Sequence, residues 1–139
     1  MEIAASGLSA ERTRMNVIAS NLANARTTQT EDGGPYQRMD PVFRAVPLAE
    51  RIPESAEDEH AQSAFLVEVP EIRQDEGPPN LVFDPTHPDA NEEGFVEMPN
   101  ISAVEEMVNM ITATRAYEAG VTVMQSLKGM ARQALSIGS

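Results

Sequence analysis

Carboxylates are the most abundant groups in this sequence that could do chemistry. The 139 residues include 22 Asp and Glu, two histidines (His60 and His87) and no cysteine. A carboxylate or histidine acts as a general acid or base only within hydrogen-bond reach of its partner. Neither histidine has a nucleophile at a recognisable spacing, and the sequence contains no Gly-rich phosphate loop. The sequence therefore predicts that the protein is not an enzyme, and without cysteine it has no disulfide, catalytic thiolate or zinc–thiolate site.

One acidic stretch has part of a calcium-binding pattern. Asp89, Asn91, Glu93 and Gly94 have the spacing of the first half of an EF-hand loop. The twelfth position of that loop is Asn100, which cannot supply the bidentate carboxylate. Two prolines upstream also prevent an entering helix. We expect a turn-forming loop at this stretch, with no metal and no cofactor.

The net charge of −12 lies entirely in the middle of the chain. Residues 49–99 carry fourteen acids against two bases, whereas residues 1–48 and 100–139 are each neutral. All ten prolines fall between Pro35 and Pro99. Since no basic stripe is present to neutralise phosphates, nucleic acid is not an expected partner. The charge and proline content divide the chain into residues 1–28, 29–99 and 100–139.

Neither a cleaved leader nor a membrane span is predicted. The first residues lack a basic segment followed by an uninterrupted apolar run, so we expect no Sec-type signal peptide. No stretch has about 18 successive apolar residues, so we expect no insertion into a membrane.

The last stretch, Ser102 to about Ile137, organises the chain. It contains no proline, and its apolar residues recur at three- and four-residue steps, which places them in one stripe along a helix. Ser102 followed by Glu105 predicts a capping box at the helix start. The helix would be about 50 Å long, longer than a small domain is wide, so its stripe must pack against something equally long.

Residues 1 to about 25 predict a second helix, with the same stepping through Leu8, Met15, Ile18 and Leu22. The middle predicts less structure. Alternating residues favour short strands at 64–72 and 81–83 and an edge strand or extended arm at 35–43, residues 95–101 lead into the last helix, and the acidic residues 47–63 favour a mobile linker. The predicted fold class is mainly α: two long terminal helices pairing as a coiled-coil-like bundle, with a small β-rich or irregular middle.

Motifs at both ends resemble those of flagellar rod and hook proteins. The N-terminal runs are AASGL (4–8) and RMNVIASNLAN (14–24), and the C-terminal runs are EMPNI (97–101), EEMVNM (105–110) and TRAYEA (114–119). Further runs are similar to the proximal-rod type within that family: PY (35–36), VF (42–43), LVFDP (81–85), HPDA (87–90) and GFV (94–96). Residues 45–75 match poorly.

The resemblance implies a structural protein of the bacterial flagellar basal body. Rod subunits pair their terminal helices inside an axial tube that transmits torque, and their middle segments face outward. The implied partners are other copies of the chain, other rod proteins, the MS-ring and export-gate base, and the flagellar type III export machinery. The implied location is the periplasmic rod, reached without a cleaved signal peptide.

The predicted assembly interface combines the apolar stripes with nearby asparagines. Its members are Leu8, Met15, Asn16, Ile18, Asn21, Leu22, Asn24, Met107, Asn109, Met110, Ile111, Tyr117, Val121, Met124 and Leu127. The stripes could instead satisfy each other within one monomeric hairpin, or the hairpin could serve a soluble coiled-coil adaptor that binds a client helix. Asn16 and Asn109 could fix the helix register by a hydrogen bond, whereas the N-terminal asparagines and Ser20 could simply cap the helix end.

Overall fold

The computed structural model describes residues 1–52 and 59–138. Its elements, in chain order, are α1 (Glu2–Ala23), β1 (Met39–Pro47), a 3-10 turn (Leu48–Glu50), α2 (Glu59–Gln62), β2 (Phe65–Gln74), β3 (Asn80–Phe83), β4 (Phe95–Met98) and α3 (Ala103–Ile137). None of the helices in the described ranges combines the length and apolar character that crossing a membrane requires.

The two terminal helices lie antiparallel, as three contacts along their length show. Leu8 approaches Gly120 so closely that a Cβ there would lie 2.7 Å from the Leu8 Cδ2. The Thr114 hydroxyl lies 3.7 Å from the sulfur of Met15. Asn21 reaches Glu106 at the other end. The start of α3 is capped as predicted, since the Ser102 hydroxyl accepts a hydrogen bond from the Glu105 amide.

The middle of the chain forms two antiparallel sheets of two strands each. β1 pairs with β2 from Met39 opposite Gln74 to Pro47 opposite Phe65, with an irregularity between Val42 and Arg44. β3 pairs with β4, and Phe83 lies opposite Phe95. The β1–β2 sheet packs against α1, which therefore lies between this sheet and α3. The buried apolar side chains of the described residues are Ala10, Val17, Ile18, Val46, Leu66, Val96 and Ala113.

The predicted mainly α, coiled-coil-like fold class is wrong. The structure is about half helical and 21 % strand, and α1 packs on a sheet as well as on a helix. The prolines and acidic residues of the middle suggested little regular structure. However, each strand of a two-stranded sheet has one side without a partner strand. Prolines such as Pro41 and Pro70, which have no N–H to donate, are tolerated where that side of the backbone faces away from the partner strand.

The strand predictions at 64–72 and 81–83 are confirmed in place by β2 and β3, whereas residues 95–101, which were expected only to lead into α3, contain the strand β4. Of the two alternatives at 35–43, the edge strand is the one that the structure contains, since β1 starts and ends four residues later and belongs to a two-stranded sheet. The predicted linker 47–63 contains the 3-10 turn and α2, and its residues 53–58 lie outside the described residues.

Two glycines with positive φ offer a test of the turns. Gly94 has φ +86°, and a Cβ there would lie 2.9 Å from the Phe83 ring, whereas Gly33 has φ +82° and open space around it. An L residue at such φ costs roughly 1–2 kcal/mol. We expect Gly94→Ala to lower the free energy of unfolding by about 1 kcal/mol more than Gly33→Ala, because Phe83 must also move. Urea unfolding of both variants measures the difference, and equal losses would contradict it.

Candidate assembly interface

A buried polar network joins the C-terminal end of α1 to the N-terminal end of α3. Asn21 is fully buried. Its amide nitrogen donates to the Met39 carbonyl at 2.8 Å and to Glu106 Oε2 at 3.4 Å. Its oxygen accepts from the Met39 amide at 2.9 Å and from the Tyr36 hydroxyl at 3.1 Å. The Asn21 side chain on α1 thus binds both the amide and the carbonyl of Met39 in β1 and also reaches Glu106 on α3.

Glu106 is 1 % exposed and is paired with a cation. Arg38 Nε donates to Glu106 Oε1 at 2.6 Å, and a second nitrogen of the same guanidinium lies 3.3 Å from Asp40. Burial acts to lower the pKa of Arg38, but its hydrogen bonds and charge interactions with Glu106 and Asp40 outweigh burial and raise that pKa. The guanidinium therefore stays charged, as a buried carboxylate requires of its partner.

The first half of α3 is apolar on two opposite sides. Its inner side packs on α1 and includes Ala113. Two residues along a helix turn by about 200°, so residues two positions from Glu106 or Ala113 point away from α1. Val104, Val108 and Ile111 lie there, and Met107 lies at the edge of the same side. These four residues are defined here as the outer face, and their exposed fractions range from 56 % to 72 %.

The last third of α3 is exposed on all sides. Every residue from Lys128 to Gly138 is exposed, including Met130, Leu135 and Ile137. Closer to α1, a largely apolar groove of about 350 Å³ lies between the helices and the β1–β2 sheet, lined in part by Leu8, Phe43 and Val123. The terminal helices therefore present several apolar surfaces that the described part of the chain does not cover.

The structure distributes the predicted interface residues over both sides of the helices. Ile18 and Asn21 are buried, and Asn16, Met107 and Ile111 are exposed. The half-buried members are Leu8, Met15, Leu22, Asn24, Asn109, Met110, Tyr117, Val121, Met124 and Leu127. The stripe along each helix is therefore shared between packing inside the subunit and surface that remains available.

The asparagines divide into two roles. Within the described ranges no hydrogen bond joins Asn16 to Asn109, so the structure gives that pair no register role inside the subunit. Asn24 bonds to the Ser20 carbonyl and accepts from Thr27, which matches the capping alternative. Asn21 alone of this group bridges to α3.

Sequence reasoning missed Tyr36, Arg38 and Glu106. Glu106 lies in the first turn of α3, where an acid complements the helix start, and this is a common position for a solvated Glu. Arg38 lies 68 residues away in a stretch with no helical pattern. No periodicity signals such a pair, and only the fold brings it together.

The stretch with the calcium-like spacing forms a turn. The Asn91 side-chain oxygen accepts from the amides of Glu93 and Phe95, and Asp89 accepts from Thr28 at 2.6 Å. Across residues 1–52 and 59–138, no cluster of three or more His, Asp or Glu side chains is arranged to hold a metal ion.

Comparisons with known proteins agree with this architecture. Residues 1–28 match the family model described as flagella basal body rod protein, and residues 92–137 match that of the flagellar basal body rod FlgEFG protein C-terminal region. The two matched segments contain α1 and α3.

Relatives that align with nearly the whole chain are all flagellar basal-body rod proteins named FlgC. The flagellar basal-body rod protein FlgC of Borreliella burgdorferi is 42 % identical over 148 residues, covering 99 % of this chain and 94 % of the relative. The FlgC proteins of Bacillus subtilis and Salmonella typhimurium are 41 % and 37 % identical, each over 99 % of this chain and over 95 % and 94 % of their own lengths. The chain therefore belongs to the FlgC family of flagellar basal-body rod proteins and is a structural subunit of the proximal rod.

Proposed function

We propose that the chain is built into the rod through the outer face of α3 and the uncovered last third of that helix. The observation that carries the proposal is the exposure of four apolar residues on or beside the side of α3 that faces away from α1. A contiguous apolar patch on a helix is typical of an interaction surface. The neighbours that cover it are other copies of the chain and other rod proteins.

The predicted interface residues divide accordingly. In this proposal the exposed members Asn16, Met107 and Ile111 contact neighbouring subunits directly. The buried and half-buried members hold α1 on α3 and so give the surface its shape. Because a patch on one side of a subunit meets a different patch on the next, the contact does not close on itself and a helical array results. Helices held by neighbours on several sides then transmit torque along the rod.

The charge distribution supports an outward position for the middle of the chain, which we place at residues 29–99. Both terminal segments are neutral, and the acidic residues lie between them. Like charges repel over the Debye length, about 8 Å at physiological ionic strength. Placing the acidic segments at the larger radius of a tube separates them most, and the neutral helices then pack near the axis.

We further propose the route and the more distant partners. The chain passes unfolded through the flagellar type III export machinery without a cleaved signal peptide, and it reaches the periplasmic rod above the MS-ring and export gate. Only seven apolar side chains of the described residues are buried, and two of them, Ala10 and Ala113, are alanines. A thin core supports this route, since little free energy opposes unfolding before export. In this proposal the role is structural and involves no catalysis.

The test is the double substitution Met107→Glu and Ile111→Glu. Two carboxylates on the outer face are expected to abolish incorporation into basal bodies, because burying them between subunits without cations is strongly unfavourable. The matched control is Thr112→Glu, which adds a carboxylate one residue along α3 and about 100° round the helix. Thr112 is exposed, and it should tolerate the change.

The readout is the amount of each variant in purified basal bodies. The strain is one that is normally flagellated and whose own gene for this rod protein has been replaced by that of the variant. Circular dichroism of each purified variant shows whether α1 and α3 still form. If the double variant is incorporated as well as the control, the outer face is not an interface. If the unmodified chain is found only outside basal bodies, a soluble adaptor role is favoured instead.

A further inference from the structure

We propose that Asn21, Arg38 and Glu106 act as positioning residues that set the register of α3 on α1. This inference rests on the proposed function, because the register decides where the outer face lies relative to the rest of the subunit. The network connects α1, α3 and the segment that enters β1, with Asn21 and Glu106 both buried. It is therefore placed where a sliding movement of either helix must break it.

The rest of the contact between the helices tolerates sliding. Leu8 packs over Gly120 so closely that it would have to shift to lie over Ala116, one turn earlier on α3, but the crowded atoms belong to the flexible end of Leu8 and Ala116 is also small. Met15 meets Thr114 through a flexible thioether, a side chain that adapts to different neighbours. Apolar packing of this kind gives neighbouring registers similar free energies.

The polar network distinguishes those registers sharply. A slip of one turn moves α3 by about 5.4 Å and takes Glu106 out of reach of Arg38. The carboxylate would then be buried without its cation, which is costly, and Asn21 would lose its partner on α3. A single buried polar group can fix the register of paired helices in this way.

A purely stabilising role predicts something different. Replacing both partners of a buried ion pair by apolar residues of similar size is often neutral or stabilising. The register proposal therefore predicts that thermal stability and helix register respond differently to the loss of the pair, whereas a purely stabilising role predicts that they change together. Removing the pair should leave thermal stability near that of the parent while the register becomes mixed.

The experiment uses the full chain with Arg38→Met and Glu106→Leu. Because the chain has no cysteine, introduced pairs report single distances. The pair Met15→Cys with Thr114→Cys reports the native register, and Met15→Cys with Met110→Cys reports a slip of about one turn. A short thiol-reactive cross-linker is expected to join only the native pair in the parent and both pairs in the double variant, with a reduced amount of that variant in basal bodies.

The matched control is the same pair of changes at the exposed ion pair Arg73→Met and Glu71→Leu. It should cross-link and assemble like the parent. The proposal is overturned if the double variant keeps only the native cross-link, or if it fails to fold, since either result assigns the network a role other than register. Both results leave the outer-face test unaffected, so failure of this inference is distinguishable from failure of the proposed function.

Discussion

Arg38→Met alone is expected to lower the free energy of unfolding by about 3–5 kcal/mol, the usual effect of removing one partner of a buried ion pair. Glu106 is 1 % exposed, so water cannot replace the lost guanidinium. The remaining bond from Asn21 is long, at 3.4 Å, and neutral. Urea unfolding followed by circular dichroism measures the loss. Arg73→Met is the control, because Arg73 is largely exposed and its loss should cost less than about 0.5 kcal/mol.

The same measurement on Glu106→Leu and on the double variant completes a double-mutant cycle. We expect the double variant to be more stable than Arg38→Met, because it no longer buries an uncompensated charge. The two single losses would then exceed the loss of the pair, which shows coupling between the side chains. Additive losses would mean that Arg38 and Glu106 contribute independently, and the network would then have no role as a unit.

The helices were predictable because their signals are local. The three- and four-residue steps and the Ser102 cap are all contained within one element. The closest helix contact was only partly predictable. A glycine inside a helix is compatible with a bend or a close crossing but does not identify a partner, and the structure shows that Leu8 takes up the space at Gly120.

The faces of α3 were harder to assign. Met107 and Ile111 share the predicted stripe with Met110 and Tyr117, yet the first two are exposed and the last two are half-buried. A helix that is apolar over much of its circumference does not identify which side meets its own chain, because that choice depends on where α1 and the β1–β2 sheet lie.

The β1–β2 sheet and the polar network depend on contacts between distant residues. Pairing Val46 with Leu66 joins residues on either side of an acidic, proline-containing stretch whose composition suggested a linker. Arg38 and Glu106 are further apart still, and each has a common solvated interpretation in sequence. The family motifs indicate the rod but do not indicate which of their residues are buried.

Leu66→Ala is expected to lower the free energy of unfolding by about 2–5 kcal/mol, as for other buried leucines. Leu66 is 2 % exposed and lies where the β1–β2 sheet meets α1, beside Val67, whose amide donates to the Ser6 hydroxyl at 3.1 Å. Truncation leaves a cavity at the contact that holds the sheet on the helix. The control is Leu81→Ala on β3, where the side chain is 62 % exposed and its loss should cost less than about 0.5 kcal/mol.

The urea unfolding curve of Leu66→Ala also shows whether the helices and the β1–β2 sheet unfold together. A domain with a thin core has little stability in reserve, so a loss of this size is a large fraction of a typical total of about 5–15 kcal/mol. If α1, α3 and the β1–β2 sheet form one cooperative unit, helix and sheet signals will shift together in Leu66→Ala. If the sheet signal shifts to lower urea while the helix signal stays in place, the sheet is attached to a helix pair that is stable without it. That outcome would mean that the two terminal helices do not need the middle of the chain to hold their shape.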